Sequence, residues 1–117
     1  MGDLGGGVLA ATLLAAGVAA ASEQDPRLAR GEQLFGETNP RCSVCHSIEG
    51  RGNPKGPLDD VGSRWRAEEI EAWLRTPAEM AAKHGKVRKP AMVPYPELSD
   101  EELDDLAAYL ASLKRPQ

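Results

Sequence analysis

Cys42 and Cys45 are separated by two residues, and His46 follows at once. No other pattern in the chain restricts its fold as tightly. Two thiols three positions apart on a helical turn can reach two groups on neighbouring sides of one flat ring. The next side chain then aims its imidazole at the ring's centre. Haem carries vinyl groups on adjacent pyrroles, and the C-x-x-C-H spacing is the signature of its covalent attachment. Cys42 and Cys45 are therefore expected to hold one haem c through thioethers, with His46 as the proximal axial ligand.

Other uses of the same residues demand features that are hard to find in the sequence. A zinc site needs four ligands, and beyond the two thiols only His46 and His84 are on offer. A thioredoxin-like pair belongs in a βαβ context, yet no stretch alternates apolar and polar residues as a half-buried strand would. A plain disulfide between Cys42 and Cys45 leaves His46 without a role.

Composition agrees with a bulky cofactor. In 117 residues there are one Phe, two Tyr and two Trp, a thin supply of large core-filling side chains for a single domain. A flat, apolar group would supply the missing volume. The net charge of −4, with no long basic run, argues against nucleic acid as a partner.

Residues Val8–Ala21 form an unbroken apolar stretch ahead of Ser22-Glu23-Gln24-Asp25, and Ala19-Ala20-Ala21 supplies small residues of the kind a signal peptidase cleaves after. Residues 1–21 are thus expected to be a helical leader, either a cleaved signal peptide or a retained anchor associating with the membrane through residues 4–21. The n-region dissents, since it has no Lys or Arg and contains Asp3. Residues 22–117 are expected to form the mature domain, periplasmic or on the outer face of the cytoplasmic membrane.

Four helical patterns follow the leader, and the expected class is all-α. The first opens at Asp25-Pro26, an N-cap with Pro at the first helical position. It runs through Leu28, Gly31, Leu34 and Phe35 to a stop at Gly36. Gly31 on the apolar stripe implies close approach by another helix. A long loop with four Gly and two Pro then leads from the CSVCH segment to Gly62. A second helix spans 67–75, with Ala67, Ile70, Trp73 and Leu74 on one face. Thr76-Pro77-Ala78-Glu79 reads as a capping box for a short third helix closed by Gly85. Ser99-Asp100-Glu101-Glu102 caps the last helix, whose stripe is Leu103, Leu106, Ala107, Leu110 and Leu113, with Lys114 and Arg115 at its C-terminal end.

Haem that transfers electrons without binding small molecules needs a sixth ligand. Met92 is the favoured candidate, in the irregular strap Lys89-Pro90-Ala91-Met92-Val93-Pro94, where prolines stiffen the chain at low entropic cost. A Met ligand also raises the reduction potential relative to His. Met80 reads better as a gap-filling core residue, and His84 as a solvated loop residue.

With these residues in hand, the chain resembles a class I bacterial cytochrome c over about residues 26–115. The likeness rests on Gly31 and Phe35 ahead of CSVCH, Lys55-Gly56-Pro57-Leu58 with Val61-Gly62-Ser63-Arg64-Trp65, Ala72-Trp73-Leu74 running to Pro77, and the KPAM strap before a capped helix carrying Ala108-Tyr109-Leu110. The resemblance implies that the Pro57 carbonyl accepts from the His46 ring N–H. It places Arg64 and Trp65 near the haem propionates and Trp73 on the Met92 side of the haem. Gly31 and Phe35 would meet Leu106, Tyr109 and Leu110 where the first and last helices cross. Val93 stands between Met92 and Pro94, whereas the family usually has Pro directly after the ligating Met.

The expected function is a single-electron carrier rather than an enzyme, working between a respiratory or photosynthetic donor and acceptor. Alternatives are a fixed haem subunit of a larger complex, or a sensor or enzyme with a labile sixth ligand. Lys83, Lys86, Arg88 and Lys89 precede the strap, while Glu97–Asp105 holds six acids.

Overall fold

The computed structural model describes residues 25–37 and 41–115. The expected leader helix over 1–21 and its boundary at Ser22 lie outside them. Helix α1 spans Pro26–Gly36, and Asp25 caps it by accepting from the Arg27 N–H at 2.9 Å. A single 3-10 turn, Cys42–Val44, follows. Helices α2 (Val61–Arg64), α3 (Ala67–Arg75), α4 (Pro77–Lys83) and α5 (Asp100–Ala111) complete the helical set.

The fold is all-α in its framework, with α5 as the element that the others cover: α1 and α3 both pack against it, and α2 touches it. Leu34 and Leu106 are fully buried at the α1–α5 contact, joined by Phe35, Leu103, Tyr109 and Leu110. Burying a side chain of this size contributes about 1.5–3 kcal/mol. The crossing is close because Gly31 has no side chain: a Cβ there would run into the Asp105 carbonyl oxygen and lie 2.5 Å from Tyr109 Cβ. Helix α5 starts as expected. Its first turn closes reciprocally, the Glu102 N–H donating to Ser99 Oγ at 3.0 Å and the Ser99 N–H donating to Glu102 Oε1 at 2.9 Å.

Several local expectations are corrected. Thr76 does not cap α4 with its side chain; its Oγ1 donates back to the Ala72 carbonyl at 3.1 Å, and Pro77 alone sets the first turn. The cap that does form at α3 is the Arg66 N–H donating to Glu69 Oε1 at 2.9 Å. Helix α5 stops at Ala111, so Lys114 and Arg115 lie beyond its last turn. The chain there folds onto α2: Gly62 N–H donates to Leu113 O, and Arg115 N–H to Asp60 Oδ1, each at 2.8 Å. The single-turn helix α2, a segment given no helix in the sequence reading, forms because Trp65 N–H closes on Val61 O at 3.0 Å.

A two-residue hairpin also appears where no strand was expected: β1 (Ser47–Ile48) pairs antiparallel with β2 (Arg51–Gly52). Its turn is Glu49-Gly50, with φ of 52° and 77°, the left-handed pair a tight hairpin demands. Strands this short leave no periodicity to read.

Candidate haem-attachment site

The site begins with Cys42, whose carbonyl closes the 3-10 turn by accepting from Cys45 N–H at 3.2 Å and His46 N–H at 2.9 Å. This winding puts Cys42 into the core and leaves Cys45 at the surface, so the two thiols straddle the edge of the apolar interior. Burial pushes the Cys42 thiol up to about 11.

His46 is half-buried, and burial holds its imidazole below the ordinary value. Its Nδ1 lies 3.1 Å from Gly56 O. A carbonyl can only accept, so Nδ1 carries the proton and the Nε2 lone pair is left for a metal. The partner is Gly56, not the Pro57 suggested by the resemblance. Gly56 can approach because it lacks a side chain: a Cβ would meet the Cys45 carbonyl oxygen and lie 3.0 Å from His46 Nδ1. Pro57 is exposed, one residue further on, in a bridge with Ser47.

Asn53 clamps this loop to the attachment turn. Its Nδ2 donates to Val44 O at 3.0 Å, its N–H to His46 O at 3.0 Å, and its Oδ1 accepts from Lys55 N–H at 2.9 Å. Neither Asn53 nor Gly56 was singled out from sequence as a site residue. Gly56 stood in the Lys55-Gly56-Pro57-Leu58 motif without a role of its own, and the signal for Asn53 is the Gly- and Pro-rich composition of the loop.

On the other side stands the strap. Met92 is half-buried and packs on the core cluster that contains Cys42. Tyr95, from the same strap, has its phenol pushed up by burial and then by the Cys42 and Cys45 sulfurs, which brings strap and attachment turn to one place. Met80 is buried on α4.

Trp65 and Trp73 meet edge to face, their ring centroids 5.8 Å apart. His84 is not the solvated loop residue expected. Its ring packs edge-on against Trp65 at 4.8 Å and lies roughly parallel to Trp73 at 6.2 Å. Arg64 is exposed. The indole Nε1 of Trp73 is buried and meets no acceptor among the described residues. Leaving such a donor unpaired costs about 1–3 kcal/mol, so a group bringing its own acceptor fits beside it. Haem does so with its propionates, and its apolar ring suits a core this poor in aromatic residues.

The cytochrome c family model matches residues 28–114, and the chain belongs to that family. It is accordingly a haem electron carrier with covalently attached haem c. Over 94 residues, 73% of this chain, it is 36% identical to cytochrome c oxidase subunit 2 of Alkalihalophilus pseudofirmus, and it spans a quarter (25%) of that protein's length. The fold is similar to that of the c-type cytochrome SorU from Sinorhizobium meliloti, with a TM-score of 0.56 and 23% identity, covering 78% of this chain and 94% of SorU.

Proposed function

We propose that this protein shuttles single electrons outside the cytoplasm, between a reduced donor protein and an oxidised acceptor protein, and catalyses no bond chemistry. The observation that carries this reading is the pairing of a fixed imidazole with a methionine strap. His46 is oriented by Gly56 O at 3.1 Å, and Met92 packs on the core from a separate segment.

When bound, haem c supplies one Fe(III)/Fe(II) couple. Cys42 and Cys45 would hold the ring covalently, and His46 Nε2 and Met92 Sδ would be the protein's ligands to its iron. Two such ligands would leave no place for a substrate, and a soft thioether would favour the reduced form. Trp73 Nε1 would donate to a propionate, with Arg64 and Trp65 nearby. Little rearrangement would then accompany electron exchange, because both ligand segments are held by the fold rather than by the metal.

The apolar leader supports export, with the domain at residues 22–117, either released into the periplasm after cleavage or held at the outer face of the cytoplasmic membrane. The 36% identity to an oxidase subunit favours a second reading, in which the domain is a fixed relay in a larger respiratory assembly. N-terminal sequencing separates the two. A start at Ser22 in the soluble fraction supports the shuttle, and intact Met1 in the membrane fraction supports the fixed relay.

Potentiometric titration of the holoprotein tests the carrier reading itself. One reversible one-electron wave, unaltered by small-molecule oxidants or reductants offered as substrates, is expected. Sustained turnover of a small substrate would overturn it.

A further inference from the structure

Three aromatic rings from three elements meet in one cluster: Trp65 closing α2, Trp73 on α3 and His84 closing α4. Trp65 and Trp73 lie edge to face at 5.8 Å, with 72° between their planes. His84 stands across both, edge-on to Trp65 at 4.8 Å and within 29° of parallel to Trp73 at 6.2 Å. Every one of these separations falls in the range of about 4.5–7 Å that attracting ring pairs favour.

The backbone delivers His84 to this place and fixes it there. Helix α4 is anchored by two buried side chains, Pro77 and Met80. Its end is closed twice, by Lys86 N–H donating to Ala81 O at 2.8 Å and by Gly85 N–H donating to Ala82 O at 3.4 Å. This is the pair of bonds with which a left-handed glycine terminates a helix, and Gly85 has φ of 64°. His84 N–H itself donates to Met80 O at 3.0 Å. The imidazole therefore leaves a fixed point of the main chain and is half-buried against the two indoles. A solvated histidine in a loop has no need of such a mount.

Trp73 is the ring that needs holding. Its Nε1 is buried with no acceptor among the described residues, although a buried indole N–H ordinarily finds a partner. We infer that His84 is a positioning residue: as the third ring of the cluster, it keeps the Trp73 indole turned with Nε1 inward, toward the propionate that this donor would serve. The inference rests on the carrier reading for that acceptor, and deepens it by naming what sets the donor's orientation. A donor on a propionate offsets part of its negative charge, and negative charge near iron favours the ferric state. His84 would thus raise the reduction potential while touching only the two tryptophans. Its contribution is the face and edge of a flat ring, which a phenyl group reproduces and an amide does not.

The test compares holoprotein of wild type, His84→Ala, His84→Gln, His84→Phe and Trp73→Phe by two readouts. Ultraviolet resonance Raman follows the indole band that responds to hydrogen bonding at Nε1, and potentiometric titration gives the midpoint potential. His84→Ala and His84→Gln should each move the band toward a weaker hydrogen bond and lower the potential. His84→Phe should keep both at their wild-type values. Trp73→Phe should also lower the potential, and adding His84→Ala to it should lower it no further, because the two residues act in series. Gly31→Val, which crowds the α1–α5 crossing, should lower the melting temperature and leave both readouts in place. A loss in His84→Phe as large as in His84→Ala, wild-type behaviour in His84→Gln, or additive shifts in the double variant would overturn the positioning role. The two readouts also separate the two levels. A wild type without a reversible wave, whose indole band still moves in His84→Ala and not in His84→Phe, would defeat the carrier reading and leave the positioning of Trp73 standing.

Discussion

His46 Nδ1 lies 3.1 Å from Gly56 O, and the glycine makes that distance possible. A methyl group at position 56 would press on the Cys45 carbonyl and on the imidazole itself. Gly56→Ala should therefore shift the ring or the loop, at a cost of about 1–3 kcal/mol, as overpacking usually exacts. The check is thermal melting together with haem content per polypeptide. Both should fall, whereas Pro57→Ala, which leaves the accepting carbonyl in place, should change haem content little.

Gly31 should be as intolerant for a different reason. Its missing side chain lets α1 and α5 touch at Asp105 and Tyr109. Gly31→Val should destabilise the fold by about 1–3 kcal/mol, lowering the melting temperature by roughly 4–8 °C for each kcal/mol. Gly36→Ala is the control. Nothing lies within 4 Å of a Cβ there, so its melting temperature should stay level or rise slightly.

Much of this was legible in the sequence because it is local. Asp25-Pro26, the Ser99–Glu102 box and the CSVCH turn each bind within a few residues of themselves, and their sequence spacing is their geometry. Gly31 announced a close neighbour, and α5 supplied it. What stayed hidden depends on groups without a side-chain signature. The partner of His46 is a backbone carbonyl, and only the three-dimensional course of the loop decides between residues 56 and 57. His84 was read as a solvated loop residue because its environment is made by Trp65 at α2's end and Trp73 on α3, brought together only in the fold. Thr76 has the residue type of a cap, but its hydroxyl finds the Ala72 carbonyl of the preceding helix first. Lys114 and Arg115 were assigned to a helix end that stops early because Leu113 and Arg115 bond to the loop around α2.

Acid should loosen the first turn of α5. The Ser99 backbone N–H, with the Ser99 hydroxyl contact and Arg30 adding, holds the Glu102 carboxyl below its ordinary 4.5. The folded pKa is thus lower than the unfolded one. The stabilisation is fully present above about pH 4.5 and is lost as pH falls through the lower folded value. Asp60, lowered first by the Ser63 hydroxyl and then by the Arg115 N–H, acts in the same direction at the α2 end. Melting temperature followed from pH 7 down to pH 3 should be flat at first and then drop. Glu102→Gln should begin lower and fall less steeply. A variant curve parallel to wild type across the acid limb would remove Glu102 from the account.

The identity of the group opposite His46 decides between a closed carrier and an open haem site. Ferric low-spin haem with a thioether ligand shows a weak charge-transfer band at the red end of the visible spectrum. The most direct measurement is that band in oxidised holoprotein, compared among wild type, Met92→Ala and Met80→Ala. It should be present in wild type, absent in Met92→Ala and retained in Met80→Ala, and only Met92→Ala should then bind carbon monoxide when reduced. Persistence of the band in Met92→Ala, or ready binding of carbon monoxide by the wild-type protein, would contradict the assignment of Met92 and with it the closed electron carrier.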